Sequence, residues 1–153
     1  AMMSRIIART EADPLHRQLM DAVAADPKGT TTDAIGTAIR AVACTLPLSA
    51  TVAFTASGST ALRIAHQRPR SPILGLTPSQ AVARRLCLVW GVRSRRSADA
   101  CAVEEIVNVA LDHCRSEGLT APGHAVVVTA GVPFGTPGST NLLRLAWPAG
   151  PAA

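Results

Sequence analysis

Short apolar runs and longer amphipathic stretches take turns along most of this chain. "TVAFT" (51–55), "PILGLT" (72–77), "CLVWGV" (87–92) and "AVVVTA" (125–130) are too short for helices and read as buried strands. Between them, "STALRIAHQR" (59–68) and "SQAVARRL" (79–86) carry apolar residues at helical spacing. Thr77–Pro78 is expected to cap the second of these. A longer helix opens at Ser97 or Asp99. Val103, Ile106, Val107, Ala110, Leu111 and Cys114 form its one apolar stripe, and Gly118 suits the left-handed position that ends it. "STNLLRLAW" (139–147) alternates as an edge strand does.

Ahead of the first strand the pattern is helical. "MSRIIARTEAD" (3–13) is an amphipathic helix fragment. Asp13 then offers an N-cap with Pro14 at the first helical position, which restarts a helix through "LHRQLMDAVAA". Pro27–Lys28–Gly29 ends it. The next helix starts in "TTTD", with Thr31 or Thr32 as cap, and sets Ile35, Ile39, Val42 and Leu46 on one face until Pro47 stops it. These early helices are expected to pack on the sheet.

Strand–helix–strand repeated three times demands right-handed crossovers and a parallel sheet covered on both faces. The fold class is therefore α/β: a three-layer α/β/α sandwich around a sheet of about five strands, mostly parallel. Only "GVPFGTPG" (131–138) separates the last two strands, fewer residues than the roughly one dozen a parallel crossover needs, so the last strand runs antiparallel.

Length changes the picture little: 153 residues suit one domain with a real core. Ala1 and Met2 read as a cloning remnant, 3–27 as a connecting helical segment, 28–148 as the α/β core and 149–153 as a tail. Aromatic residues make up only 3%, so aliphatic side chains must fill the interior. No run reaches the ~18 apolar residues of a membrane span, and no signal peptide is visible, so a cytoplasmic protein is expected. Cys44, Cys87, Cys101 and Cys114 lack CxxC spacing and have apolar neighbours, which reads as buried, reduced thiols. His16, His66, His113 and His124 sit at no ligand spacing, so no metal site is expected. The net charge is +5, and all but one of the 15 basic residues are arginine. Such a surface favours anions without naming one.

Candidate chemistry gathers in "TASGSTA" (55–61), where the first strand becomes a helix. Ligands of open parallel sheets collect outside the carboxyl ends of the strands. A helix beginning near Ser59 leaves its first N–H groups without helical partners, and these favour an anion. Thr55, Ser57, Ser59 and Thr60 add hydroxyls, and Gly58 lets the backbone approach without a Cβ. A phosphate monoester, whose oxygens accept many donors, suits this turn better than a carboxylate. An ordinary capped turn has the same composition. The stretch is neither GxxxxGK[ST] nor GxGxxG. "GVPFGTPGSTN" (131–141) leaves another strand end, on the same side of the sheet if the fourth strand is parallel, and is either a loop that folds over a ligand or an ordinary hairpin connection.

These stretches carry a resemblance. "FTASGSTALRIAHQRPRSPILGLTP" (54–78) is similar to a pattern of the C-terminal domain of pyruvate kinases. "GVPFGTPGSTNLLRL" (131–145) resembles that family's closing segment, "TDAIGTAIRAVA" (32–43) an early helix of the domain, and "MSRIIARTEA" (3–12) the helix joining it to the catalytic barrel. The resemblance spans nearly the whole chain in the family's order.

What it implies is the following. Pyruvate kinases make pyruvate and ATP from phosphoenolpyruvate and ADP in glycolysis, with Mg²⁺ and K⁺, usually as homotetramers. The catalytic and metal residues belong to an upstream barrel that this sequence does not contain, so the chain alone should be inactive and should hold no cofactor. The domain is the allosteric one. A phosphorylated effector, a sugar phosphate or AMP, would bind Thr55, Ala56, Ser57, Gly58, Ser59 and Thr60, and the loop Gly135, Thr136, Pro137 and Gly138 would close over it. The early helix and last strand would form a homo-oligomer interface.

Some residues depart from the family pattern. Members that bind fructose 1,6-bisphosphate carry basic or aromatic groups near the long helix. Here "SADACAVEEIV" (97–107) has none, and Glu104 and Glu105 would repel a second phosphate; Arg93, Arg95 and Arg96 are the nearest candidates. A monophosphate such as AMP, ribose 5-phosphate or glucose 6-phosphate fits better. "GVRSRRS" also lacks a proline common in the family, and Ala56 stands where some members have lysine.

Other classes fare worse. No carboxylate pair, Ser-His-Asp set or metal cluster supports catalysis by this chain. Arg84, Arg85, Arg93, Arg95 and Arg96 make a basic stretch, but nucleic-acid binding also wants stacking aromatics, and Trp90 falls in an expected strand. A purely structural role in subunit assembly stays open.

Overall fold

A computed structural model of the chain describes residues 2–22, 29–98, 102–133 and 139–148. The sheet is built outward from β1 (Leu48–Phe54), which is buried through its centre. β2 (Ile73–Thr77) lies parallel beside it with Leu74 opposite Val52, and β3 (Val92–Arg96) lies parallel beyond β2. On the other side of β1 comes β4 (Ala125–Gly131), also parallel, with Val128 opposite Val52. β5 (Thr140–Ala146) closes that edge antiparallel, pairing Leu145 with Val127. The order is β3-β2-β1-β4-β5, the expected five-stranded, mostly parallel sheet with an antiparallel last strand.

Six helices accompany it among the described residues: α1 (Met2–Glu11), α2 (Pro14–Ala22), α3 (Thr31–Thr45), α4 (Ser59–His66), α5 (Gln80–Leu86) and α6 (Val103–Ser116). One face of the sheet packs Val52, Leu74, Leu76, Val126 and Val128 against Ile106, Ala110, Leu111 and Cys114 of α6. The other packs Ala53, Ile73 and Val127 against Ile39 of α3, Ala61 and Ile64 of α4 and Leu86 of α5. Alternate residues of each central strand therefore serve opposite layers, which is why these strands are apolar at most positions of both faces, with Thr51, Thr77 and Thr129 also buried. Each buried valine, leucine or isoleucine side chain contributes about 1.5–3 kcal/mol by leaving water.

The connections set the site. β1–α4–β2–α5–β3 steps one way across the sheet, and α6 then carries the chain back past β1 to β4. The winding reverses between β1 and β4, so their carboxyl ends flank a crevice of the kind where ligands of such sheets bind.

Several local expectations are corrected. β3 is 92–96, not "CLVWGV". Residues 87–89 continue the end of α5, with Cys87 N–H on Ala83 O and Val89 N–H on Leu86 O, and Gly91 turns the chain into β3. Trp90 consequently sits in a turn, not a strand. The cap of α3 is Thr30, whose hydroxyl accepts from Asp33 N, rather than Thr31 or Thr32; only Thr30 keeps the extended backbone a cap needs. Ser79, not Thr77, caps α5; Thr77 instead accepts from Ser79 N. α6 begins at Val103 with Ala102 as its cap. Ser97 bonds back to Thr77 O as an extension of β3, and Asp99 lies outside the described residues. α3 packs on the sheet as expected, but α1 and α2 bury none of their residues. Polar contacts tie α2 down instead: Arg17 reaches the carbonyl of Arg68, and Asp21 pairs with Arg40 and Arg70. Of the described cysteines only Cys114 is buried; Cys44 and Cys87 are exposed. No helix among the described residues is long and apolar enough to cross a membrane.

Candidate functional site

β1 delivers the chain to Thr55 at the carboxyl edge, where Thr55 N–H still bonds Leu76 O across the ladder at 3.0 Å. The chain must then turn sharply into α4. Gly58 makes this possible with a left-handed backbone, φ +88°, as the residue preceding the helix. A side chain there would also meet Val82 and Arg85, its Cβ lying 3.2 Å from Val82 Cγ1 and 3.3 Å from the Arg85 guanidinium. Strain and crowding together leave glycine as the residue that fits.

The hydroxyls divide into two groups. Thr55 and Thr60 are buried and serve the fold. Thr55 Oγ1 accepts from Gly58 N at 2.9 Å, and Thr60 Oγ1 shares a 2.7 Å bond with Thr140 Oγ1 at the start of β5. Ser57 and Ser59 are half-buried, with Ala56 exposed between Thr55 and Ser57. Ser57 Oγ donates to Ser59 Oγ at 3.0 Å and accepts a long bond from Ser59 N at 3.4 Å. The first i to i−4 bond of the helix runs from Leu62 N to Gly58 O, so the amides of Ser59, Thr60 and Ala61 precede the helical ladder. No acidic residue occupies this first turn. The local field is therefore positive.

Sequence reasoning does not find Arg85 as a neighbour of this turn. Its guanidinium donates to the carbonyl of Ser57 from α5, which brings a cation to the crevice. The sequence signal is weak: a basic pair in α5, one member of which lies beside the buried Leu86. Arg95, named above as a candidate for a second phosphate, is engaged elsewhere. It grips Glu117 with two bonds, Nε to Oε1 at 2.5 Å and an NH₂ nitrogen to Oε2 at 2.7 Å.

The second loop starts beside the turn because β4 neighbours β1. Its base is closely drawn. Asn141 accepts from Val132 N at 2.9 Å and donates to Val132 O at 2.6 Å. A Cβ on Gly131 would fall 2.5 Å from Ser139 Oγ, so the two strands approach there only because residue 131 has no side chain. Gly135, Thr136, Pro137 and Gly138 lie outside the described residues. No three His, Cys, Asp or Glu side chains gather as a metal-binding group among the described residues.

A family model described as "Pyruvate kinase, alpha/beta domain" matches residues 33–146. The chain belongs to the pyruvate kinase alpha/beta domain family. Relatives agree with that membership. The chain is similar to a pyruvate kinase of Geobacillus stearothermophilus, 40% identical over 94% of this chain and 24% of that protein. It is 38% identical to a pyruvate kinase of Methylorubrum extorquens over 95% of this chain and 30% of that protein, and 42% identical to one of Agrobacterium vitis over 94% and 30%. The chain thus spans about a quarter to a third of the length of these pyruvate kinases. A solved pyruvate kinase from Cryptosporidium parvum shares the fold, with a TM-score of 0.71 over 81% of this chain and 24% of that one at 22% identity. The expected pyruvate kinase alpha/beta fold is therefore the observed one.

Proposed function

We propose that this domain is the regulatory and subunit-assembly part of a pyruvate kinase, and that it takes a phosphorylated metabolite at residues 55–60. The whole enzyme would transfer phosphate from phosphoenolpyruvate to ADP, on a catalytic barrel of the same polypeptide that supplies the Mg²⁺ and K⁺ chemistry. The effector would be a sugar phosphate or AMP. Ser57 and Ser59 would offer hydroxyls, the first amides of α4 would offer N–H groups, and Arg85 would balance charge. The 131–138 loop would close over the ligand, and the early helix and β5 would carry the change to neighbouring subunits of a homotetramer in the cytoplasm. Couplings of this kind are typically about 1–3 kcal/mol.

One observation carries the reading: the half-open serine pair around left-handed Gly58 stands at the point where the winding of the sheet reverses. Binding of ribose 5-phosphate, glucose 6-phosphate and AMP to Ser57→Asp and Ser59→Glu tests it, since each variant puts a carboxylate in the pocket. At least tenfold weaker binding is expected, and unchanged affinity in both removes the site.

A purely structural reading has its own support. The hydroxyls of Thr55 and Thr60 and the amides of Gly58 and Ser59 already have partners inside the protein. Under that reading Ser57→Asp alters stability alone, and no phosphate ester shifts the melting temperature of the parent chain.

A further inference from the structure

Trp90 is 44% exposed, yet its ring is held from two directions. The Arg68 guanidinium lies 4.1 Å from the ring centroid, a cation–π contact. The indole Nε1–H donates to Glu11 Oε1 of α1 at 2.8 Å. Arg68 reaches the ring from a left-handed backbone, φ +50°, a conformation that is strained for a residue with a Cβ. Its N–H bonds Ala65 O at 3.1 Å, and its carbonyl receives Arg17 of α2 at 3.0 Å. Two helices and a strained residue therefore orient one solvent-facing aromatic side chain. Strain of this sort persists where the surrounding structure enforces a geometry, and it collects at ligand sites.

Two cavities meet at this ring. One, of about 350 Å³, is lined by Arg70 and Arg93 with Pro69, Pro72, Ile73 and Trp90 among its walls. The other, of about 500 Å³, shares Pro69, Arg70 and Trp90 and extends past His16, Arg17 and Glu11. Both volumes lie within the roughly 300–1,000 Å³ of small-molecule sites. The first cavity has two guanidinium groups and no carboxylate in its lining. Arg68 lines neither cavity, so its contact leaves indole surface facing them. Among the described residues no carboxylate pairs with Arg93, while Arg70 reaches Asp21 at 3.3 Å. The cleft sits where β2 and β3 begin, at Ile73 and Val92, the opposite end of the sheet from the 55–60 turn.

We propose that the Trp90 cleft binds a nucleoside monophosphate, with the base against the indole and the phosphate between Arg70 and Arg93. A flat base matches the indole and the proline walls, and bases stack on aromatic side chains whatever their sequence. A phosphate dianion matches the planar guanidinium of Arg93, which pairs with no carboxylate among the described residues, and that of Arg70, which it would share with Asp21. A sugar phosphate would use the arginines and leave the ring idle; an uncharged aromatic would do the reverse. The site is separate from the proposed effector turn and does not depend on it.

Trp147→Phe leaves Trp90 as the single tryptophan, since the chain has two, and makes its emission the readout. Titration with adenosine monophosphate is expected to quench it saturably. Adenosine and inorganic phosphate are each expected to bind at least tenfold more weakly. Arg93→Glu, on an exposed edge-strand position, weakens AMP at least tenfold with an unchanged urea midpoint, and Arg70→Gln acts in the same direction. Ser57→Asp leaves the titration unchanged, whatever it does to binding at the turn. The proposal is overturned by an absence of quenching, by inorganic phosphate binding as well as AMP, or by loss of binding in Ser57→Asp with retention in Arg93→Glu.

Discussion

Thr60 and Thr140 join hydroxyls across a 2.7 Å hydrogen bond, both side chains buried, and so fasten the first turn of α4 to the first residue of β5. The two ends of the crevice are thereby one mechanical unit. Truncating either hydroxyl strands the other in a buried site, at a cost of about 1–3 kcal/mol. Thr60→Val and Thr140→Val are each expected to lower the urea midpoint, whereas the double variant, which leaves no orphan, recovers part of the loss. Strictly additive effects would mean that the bond has no role in holding α4 to β5.

Gly58→Ala should cost more than strain alone. Gly58 and Gly123 both have positive φ, +88° and +75°, but a Cβ at 123 meets nothing within 4 Å while one at 58 meets Val82 and Arg85. Gly123→Ala is expected to lose about 1–2 kcal/mol from the left-handed backbone. Gly58→Ala should exceed that and also displace Arg85 from Ser57. Equal losses at the two positions would show that α5 yields freely to the added methyl group.

Cysteine chemistry separates the thiols. Burial pushes Cys114 up from 9.0 to about 11, and its side chain belongs to the core under α6. The thiolate is the reactive form. Native chain treated with iodoacetamide near pH 8 should label Cys44 and Cys87, which are exposed, and spare Cys114 until the protein is unfolded. Rapid labelling of Cys114 in the native state would place the opening of α6 on an unexpectedly fast timescale.

These residues also show what sequence patterning can and cannot reveal. β1, β2 and β4 are legible because strands covered on both faces are apolar at most positions. β3 is not, because an edge strand needs burial only at alternate positions: Val92 and Ser94 point inward while Arg93, Arg95 and Arg96 stay exposed. The apolar run just before it attracts the strand assignment instead, although Leu88 and Trp90 are solvent-facing. At the site, the hydroxyl cluster and Gly58 are legible because a strand-to-helix junction needs a flexible residue and caps. The burial of Thr60 is not, because its partner lies 80 residues away and depends on the register of β5. Arg85 escapes notice for the same reason: its reach to Ser57 is set by the packing of α5 beside α4.

Asp21 gives the sharpest pH dependence. The hydrogen bond from Arg17, with a further contribution from Arg70, outweighs desolvation and holds its carboxyl down from 3.8 to about 2. Arg40 adds a bond to the same carboxylate at 3.3 Å and another to the Asp21 carbonyl at 2.8 Å. A folded pKa below the unfolded one means that the stabilisation is complete above about pH 5 and disappears as pH falls toward 2. The carboxylate is partly solvated, so each pair contributes no more than about 1 kcal/mol. α2 buries no residue, and what is lost is its docking rather than the core. Asp21→Asn is therefore expected to raise amide hydrogen exchange across residues 14–22 at pH 7, with little change in the global urea midpoint. About 1 M salt, where charges are screened beyond roughly 3 Å, should produce part of the same effect in the parent chain. The difference between parent and variant should shrink toward pH 2. A difference that persists undiminished at pH 2 would show that the aspartate acts through packing and not through its charge.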